Sequence, residues 1–296
     1  MRKFRTYSEV DHSTGSELLE QVLEQRARLA KRLASVGTVV AVASGKGGVG
    51  KSAVTANLAS CLRSRGLRVG AVDGDLNGPS LARMLGVRGP LLEGDGDGVI
   101  PPANAAGISV ISMELLQEED APLRWRDPGS DTFIWQSTME TTALREFLGD
   151  VAWGDLDVLL IDVPPGTDKI SRLLELIPDL PAVLVVTTPS EMARSVVARS
   201  LRLLREADVG TVGLVANMSG YWCPDCDRIQ PLFPGEGAQR LSEATGVPIW
   251  AEIPFHPSFS LETDRGHPFV TGHPEGPIAE AFTALAERLE GIGSTP

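Results

Sequence analysis

The sequence predicts an α/β fold: a single domain in which a doubly wound, mostly parallel β-sheet lies between two layers of helices. Short apolar runs of strand length alternate with helical patterns along most of the chain, and this alternation is typical of parallel strands joined by right-handed crossovers. The interiors of the predicted strands are apolar, as expected when both faces of a sheet are covered. We expect an N-terminal amphipathic helical extension over residues 1–36 and one domain over residues 37–296.

The first predicted element is an amphipathic helix over residues 14–33. Thr14 and Glu17 have the spacing of a capping box, and apolar residues recur on one face at Leu18, Val22, Leu23, Leu29 and Leu33. A buried strand over 38–43 and a helix over 52–65 follow. The remaining predicted strands are 68–73, 108–112, 157–162, 182–187 and 211–217, and the remaining helices are 144–148, 192–206 and 278–289. Two stretches rich in Gly, Pro and Asp, 93–107 and 117–137, are predicted to be loops or insertions.

The composition argues against several classes of function. The formal net charge of −12 argues against a nucleic-acid groove, which needs a concentrated positive surface, and against adhesion to anionic lipid. The apolar runs are too short to span a bilayer, and the first residues lack the apolar core of a secretion signal. Three cysteines are too few, and odd in number, for a disulfide framework. We therefore expect a cytoplasmic protein with reduced thiols that binds neither nucleic acid nor membrane.

Residues 44–52, SGKGGVGKS, match the phosphate-binding P-loop pattern and lie between a predicted strand and a predicted helix. Glycines let successive backbone N–H groups converge on phosphate oxygens, and the positive end of the following helix points at the same place. Lys51 is predicted to contact the β- and γ-phosphates, and the Ser52 hydroxyl to ligate Mg²⁺. The nucleotide-binding residues predicted in this loop are Gly45, Lys46, Gly47, Gly48, Val49, Gly50, Lys51 and Ser52.

Carboxylates end two further predicted strands. Asp162 ends the apolar run LLID and has the position of a Walker B carboxylate that faces Mg²⁺. Asp73 and Asp75 follow the second strand in AVDGDLNGPSL, and we expect them beside the P-loop because the carboxyl ends of parallel strands meet at one edge of a sheet. The alternative is a pair of turn-forming aspartates. Asn217 ends the strand predicted over 211–217.

Cys223 and Cys226 form a C-x-x-C pair shortly after that strand. Two thiolates at this spacing can bind one metal centre, but a zinc ion or an iron–sulfur cluster usually requires four ligands. A symmetric dimer could supply two from each chain. A thioredoxin-like redox pair, an intersubunit zinc and two structural thiols are the alternatives. Cys61, with apolar neighbours on the helix after the P-loop, is predicted to be a buried core thiol.

Taken together, these motifs resemble the deviant Walker A ATPases, which include the MinD, ParA and nitrogenase iron-protein families. The resemblance is most specific to the Mrp/ApbC family of iron–sulfur cluster carriers, and it runs from about residue 36 to the C-terminus. It is carried by GKGGVGK[ST] with the additional Lys46, by DGDLNGPS, by D-x-P-P-G-T from Asp162 and by the cysteine pair. The family pattern continues with Gly-Asp, whereas this chain has Asp168 and Lys169. Residues 125–139 also depart from the family's shorter segment.

The resemblance implies roles for individual residues. Lys46 would cross a dimer interface to the nucleotide of the partner, Asp75 would position or activate the attacking water and handle Mg²⁺, and Asp73 would lie in the outer Mg²⁺ shell. Asn217 would read adenine, which favours ATP. Cys223 and Cys226 would hold a labile [4Fe–4S] cluster between two subunits.

The function implied is that of a homodimeric, slow, Mg²⁺-dependent ATP hydrolase that binds a [4Fe–4S] cluster and transfers it to apo-proteins. Lys46, Lys51, Asp75 and Asp162 would carry the catalysis. Two alternatives stay open: a positioning ATPase of the MinD or ParA kind, and a dimeric ATPase with a structural intersubunit zinc. The last predicted helix lacks the basic face of a membrane-binding helix, since it carries Glu280, Glu287 and only one arginine.

Overall fold

The computed structural model describes residues 15–88, 94, 98–116, 132–233 and 237–293. Within these residues, eight strands form one sheet, and ten α-helices and one 3-10 helix (Met113–Leu116) surround it. The strands are β1 (Val36–Ser44), β2 (Val69–Asp73), β3 (Ser109–Ile111), β4 (Leu156–Asp162), β5 (Ala182–Thr187), β6 (Thr211–Cys223), β7 (Arg228–Gln230) and β8 (Ile249–Phe255). The helices are α1 (Gly15–Leu33), α2 (Lys51–Ser64), α3 (Leu81–Met84), α4 (Thr132–Gly149), α5 (Thr167–Leu176), α6 (Glu191–Glu206), α7 (Gly237–Thr245), α8 (Pro257–Asp264), α9 (Phe269–Gly272) and α10 (Pro277–Gly293).

The sheet confirms the predicted fold class. Its strand order is β3-β2-β4-β1-β5-β6-β7, and β8 pairs with β6 on the edge opposite to β5. Every pair is parallel except β6 with β7. The carboxyl ends of β1, β2 and β4 therefore lie side by side, and loops that follow these strands share one edge of the sheet.

Both faces of the sheet are covered by helices. Val40 and Val42 of β1 point into one core together with Leu58 of α2 and Phe282 of α10. The alternate residues of the same strand enter the second core, where they meet side chains of α4, α5 and α6 such as Phe147. Burial on both faces explains why these strands are apolar at successive positions rather than at every second one.

The N-terminal helix α1 packs against α4. Leu29 is buried in the core of that face, and the Arg145 guanidinium donates a hydrogen bond to Gln25 Oε1 at 3.0 Å. Leu23, predicted on the same apolar face, is instead 55% exposed. Six residues separate it from Leu29, which turns it by about 120° around the helix. The predicted capping residue Thr14 lies outside the described residues.

Two predicted boundaries change. Residues 132–137, predicted as part of a loop, form the first turns of α4, because no glycine or proline interrupts the segment from Thr132 to Phe147. β6 continues six residues beyond its predicted end at Asn217. The described part of 93–107 is irregular as predicted, with isolated bridges such as Val99 to Val151, and residues 117–131 lie outside the described residues. Among the described helices, none is both long enough and apolar enough to cross a membrane.

Candidate nucleotide-binding and cysteine sites

The P-loop connects β1 to α2, as its pattern predicts. Gly48 and Gly50 have φ angles of +76° and +79°, a region that glycine adopts without strain. Gly50 also leaves no room for a side chain, because a Cβ there would lie 2.4 Å from Asn217 Nδ2. Glycine at this position is required both by the backbone conformation and by the approach of β6.

The buried carboxylate of Asp162 is bound by three side chains from the P-loop and α2, and we call Asp162 with Lys51, Ser52 and Thr55 the Asp162 cluster. Lys51 Nζ lies 2.5 Å from Asp162 Oδ1, and the Ser52 hydroxyl donates to Asp162 Oδ2 at 2.6 Å. The Thr55 hydroxyl donates to Oδ1 at 3.0 Å. The side chain of Asp162 is fully buried and that of Lys51 is 8% exposed, so the pair is shielded from solvent. Three of the predicted site residues therefore meet, and Thr55 joins them.

This donor set fits a magnesium ion. Mg²⁺ prefers oxygen ligands, usually one or two from the protein together with phosphate oxygens. Ser52 Oγ and Asp162 Oδ2 are a hydroxyl and a carboxylate oxygen held 2.6 Å apart beside the P-loop lysine. These are the residue types that hold the metal in P-loop enzymes.

Asp73 is paired with Asp162 across β2 and β4, so the two carboxylates end neighbouring strands. Its Oδ2 accepts hydrogen bonds from the backbone N–H of Ser80 and Leu81 at 2.9 and 3.0 Å, and its Oδ1 accepts from the N–H of Asp75 at 3.1 Å. Burial, and then repulsion from Asp162, raises the pKa of Asp73 to about 7, although these hydrogen bonds lower it. Asp73 therefore holds the loop after β2, and its outer-shell role toward Mg²⁺ stays a prediction.

Asp75 lies within that loop and is half-buried. Its Oδ1 accepts a hydrogen bond from the N–H of Gly78 at 3.1 Å, which keeps the carboxylate close to the turn. The base of the loop is fixed to β4, because Gly74 N–H donates to the carbonyl of Asp162 at 2.9 Å. The loop that carries Asp75 thus starts beside the end of β4, and the role of Asp75 toward water stays a prediction.

Asn217 reaches the P-loop from β6. It is 5% exposed, and its Nδ2 donates to the carbonyl oxygen of Val49 at 2.8 Å. The next residue, Met218, has a φ of +57°, and the pairing of β6 with β8 shifts register between Asn217 and Tyr221. The irregular backbone thus follows directly after the side chain that supports the P-loop. The adenine contact of Asn217 stays a prediction.

The second lysine of the loop, Lys46, is half-buried. Its carbonyl oxygen accepts a hydrogen bond from the Ser44 hydroxyl at 3.0 Å, which stabilises the start of the loop. On the neighbouring side, Gly166 N–H donates to the carbonyl of Ser44 at 3.1 Å, so the loop after β4 contacts the P-loop. A role for Lys46 in a second chain stays a prediction.

The cysteine pair lies at the tip of a hairpin formed by the end of β6 and β7. β6 extends past its last pairing with β5 at Ala216, and β7 takes the place of β5 beside it. Cys223 is half-buried and Cys226 is exposed. The turn is fixed by a hydrogen bond from the N–H of Asp227 to the carbonyl of Cys223 at 2.9 Å, and by one from Trp222 Nε1 to Asp227 Oδ1 at 2.6 Å.

The hairpin favours the thiolate form of its first cysteine. The backbone N–H groups of Cys226 and Asp225 lower the pKa of Cys223, and the Cys226 side chain lowers it further. Among the described residues, no group of three or more His, Cys, Asp or Glu side chains forms a metal site within one chain. Cys61, by contrast, is buried against α10, and burial raises the pKa of its thiol, which confirms the prediction of a core cysteine.

Sequence comparisons agree with these motifs. A family model described as "NUBPL iron-transfer P-loop NTPase" matches residues 35–290. A protein of Saccharolobus solfataricus called "Iron-sulfur cluster carrier protein" is 36% identical over 273 residues, which cover 91% of this chain and 88% of the relative. The human "Cytosolic Fe-S cluster assembly factor NUBP2" is 36% identical over 270 residues, which cover 89% of this chain and 95% of the relative. The resemblance to cluster carriers is thereby confirmed.

Solved structures lead to the same fold. A nucleotide-binding protein from Archaeoglobus fulgidus, in complex with ADP, superposes with a TM-score of 0.71 at 31% identity and covers 87% of this chain and 96% of its own. The cell division ATPase MinD of Pyrococcus furiosus has a TM-score of 0.59 at 27% identity and covers 86% of this chain and 99% of its own. The α/β fold of this chain is therefore shared with a nucleotide-binding protein and with a cell division ATPase.

Proposed function

Because this chain belongs to the family of NUBPL-type iron-transfer P-loop NTPases, we propose that it is a homodimeric, Mg²⁺-dependent ATPase that carries a [4Fe–4S] cluster and delivers it to apo-proteins. The observation that carries the proposal is the exposed Cys223–Cys226 hairpin. It offers two cluster ligands, Cys223 at the end of β6 and Cys226 in the turn after it, and Asn217 of the same strand supports the P-loop. Cytoplasmic action is supported by the name of the human relative.

The proposed binding and hydrolysis of ATP rest on the Asp162 cluster. Lys51 would bind the β- and γ-phosphates, and Ser52 with Asp162 would hold Mg²⁺, which neutralises charge on the phosphate oxygens when bound. In hydrolysis, water attacks the γ-phosphorus, the bond to the β–γ bridging oxygen breaks, and ADP and phosphate leave. Asp75 would orient that water, and Lys46 of a second chain would stabilise the developing charge. We expect slow turnover, because a carrier uses the nucleotide as a switch.

The proposed binding of a cluster rests on the number of cysteine ligands that each chain supplies. Each chain supplies two thiols at the hairpin, and a [4Fe–4S] cluster takes four. Two hairpins related by a two-fold axis complete the set, so the cluster would lie between subunits. Exposure of Cys226 and the lowered pKa of Cys223 suit a site that both binds the cluster and releases it. The cluster moves intact, so the transfer needs no redox step.

Metal analysis tests the proposal. After anaerobic reconstitution, we expect about two iron atoms and two sulfides per chain, which corresponds to one [4Fe–4S] cluster per dimer. Cys223→Ala and Cys226→Ala should each lose the cluster and its visible absorption while retaining MgATP binding in calorimetry. An apo-acceptor should gain the cluster from the loaded wild-type protein.

The matched control is Cys61→Ala, which removes the buried thiol and should leave the iron content unchanged. Zinc at about half an equivalent per chain without iron or sulfide would favour a structural intersubunit zinc. Full cluster retention in the Cys223→Ala, Cys226→Ala double variant would exclude the carrier function.

A further inference from the structure

We propose that Glu140 of α4 is a positioning residue that holds together the two loops flanking the nucleotide site. Its Oε1 accepts a hydrogen bond from Asn77 Nδ2 at 2.7 Å, and its Oε2 is in contact with Lys169 Nζ. Asn77 belongs to the loop after β2, and Lys169 lies in the first turn of α5, directly after the loop that follows β4. One carboxylate therefore bridges two segments that start from neighbouring strands.

The bridge is largely shielded from water. The side chains of Glu140 and Lys169 are 12% and 21% exposed, so solvent and salt screen their attraction less than that of a surface pair. Asn77 adds a hydrogen bond to the ionised carboxylate, which is stronger than one between neutral groups. Removal of Glu140 would leave the Lys169 ammonium half-buried beside the more exposed Asp168 carboxylate, whose Oδ2 lies 3.8 Å from Nζ, so the charge would be compensated less well.

Asn77 and Lys169, the two partners of Glu140, both lie close in sequence to residues of the candidate nucleotide site. Asn77 lies two residues after Asp75, whose backbone N–H is bound by Asp73. Lys169 lies three residues after Gly166, whose N–H donates to the P-loop carbonyl of Ser44. A displacement of about 1 Å in positioning groups of this kind is enough to slow catalysis strongly. Glu140 would thus act on the ATPase step through Asp75 and the loop after β4, without contact with the nucleotide.

This inference rests on the ATPase half of the proposed function and not on the cluster. The first test measures kcat and KM for MgATP hydrolysis in Glu140→Ala, Asn77→Ala and Lys169→Met. We expect kcat to fall about tenfold in Glu140→Ala with a smaller change in KM, since the lost contact orients the loops rather than binding nucleotide. The charge-swapped variant Glu140→Lys, Lys169→Glu should recover most of kcat, because the introduced lysine can also donate to the Asn77 side-chain oxygen.

A double-mutant cycle separates coupling from ordinary destabilisation. Asn77→Ala changes the loop after β2 and Lys169→Met changes the first turn of α5, so independent effects on kcat would multiply. If Glu140 connects the two segments, the kcat of the double variant should differ by about threefold or more from the value obtained by multiplying the two single effects. A multiplicative result, or a charge swap no better than Glu140→Ala, would overturn the proposal.

The matched control is an ion pair at the other end of the same two strands. Arg68 precedes β2, Asp157 is in β4, and their side chains lie 2.8 Å apart at the edge of the sheet far from the P-loop. Asp157→Asn should leave kcat unchanged.

A second readout does not depend on activity. Hydrogen exchange of the Lys169→Met protein should speed up at residues 74–80, which are connected to that side chain through Glu140 and Asn77, as well as at 166–172. Unchanged exchange at 74–80 would reject the bridge even if the wild type hydrolysed no ATP, whereas an inactive wild type with faster exchange would reject only the ATPase proposal.

Discussion

The side-chain amide of Asn217 donates a hydrogen bond to the carbonyl oxygen of Val49 at 2.8 Å and so joins β6 to the P-loop. Both groups are buried, and a carbonyl left without its donor in such a place costs about 1–3 kcal/mol. The bond therefore bears on the shape of the loop that would bind phosphate.

We expect Asn217→Ala to weaken MgATP binding about tenfold, because the loop loses a contact equivalent to about 1.4 kcal/mol. Calorimetry with ATP and with GTP distinguishes the two roles of Asn217. Support of the P-loop lowers both affinities by the same factor, whereas an adenine contact lowers only that for ATP. Affinity for ATP equal to that of the wild type would contradict both roles.

Lys51→Ala should abolish tight MgATP binding and also lower the melting temperature. The lysine is the positive partner expected for the phosphates, and in the described structure it neutralises the buried Asp162 carboxylate at 2.5 Å. Asp75→Ala should instead leave the dissociation constant near that of the wild type and reduce turnover. A Lys51→Ala protein that binds MgATP normally would show that the P-loop assignment is wrong.

Lys46 is expected to act in the partner's site, so its loss should reduce turnover more than nucleotide affinity. Neither Lys46→Ala nor Asp75→Ala homodimers should turn over at the wild-type rate. A heterodimer of the two contains one site with both groups intact, and we expect it to regain about half of wild-type activity per dimer. If mass spectrometry shows that heterodimers form and no activity returns, the two sites are not shared.

Glu146, at the junction of α1 and α4, should make stability depend on pH. Burial, and then the nearby Asp150 carboxylate, raises its pKa from 4.5 to about 7, while Arg145 and Arg28 lower it. The protonated form is thus favoured on folding, and its contribution is present below about pH 4.5 and lost as the pH rises through about 7. Relative to Glu146→Gln, the melting temperature of the wild type should therefore fall over this range. If scanning calorimetry shows the same dependence of melting temperature on pH for the wild type and for Glu146→Gln, this prediction is wrong.

The nucleotide site could be predicted because its residues are local or end a strand. Lys51 and Ser52 lie in one contiguous motif, and Asp162 ends an apolar run whose position in a parallel sheet follows from the alternation. Thr55 could have been found as well, since it lies one helical turn after Lys51 on the same face of α2. Its hydroxyl bonds to Asp162, 107 residues away.

Other contacts have no local signature. Glu140 contacts Lys169, which is 29 residues away in the sequence, and Asn77, which is 63 residues away. Its helix also shows only a weak helical periodicity of apolar residues, because polar residues occur on all sides of α4. β8 escapes prediction for a similar reason: Glu252 and Pro254 interrupt its apolar run. The extension of β6 depends on β7, which has only three residues and is exposed throughout.

Because residues 221–223 of β6 pair one by one with residues 228–230 of β7, this part of the strand is under a parity constraint. Side chains alternate between the faces of a strand, and insertion or deletion of a single residue within the paired segment exchanges those faces. Trp222 would then lose both its bond to Asp227 and its packing against Gly276. The irregular backbone between Asn217 and Tyr221 can absorb an extra residue, as bulges do, so homologous chains that keep this hairpin should vary in length there or after β7 rather than within 221–223.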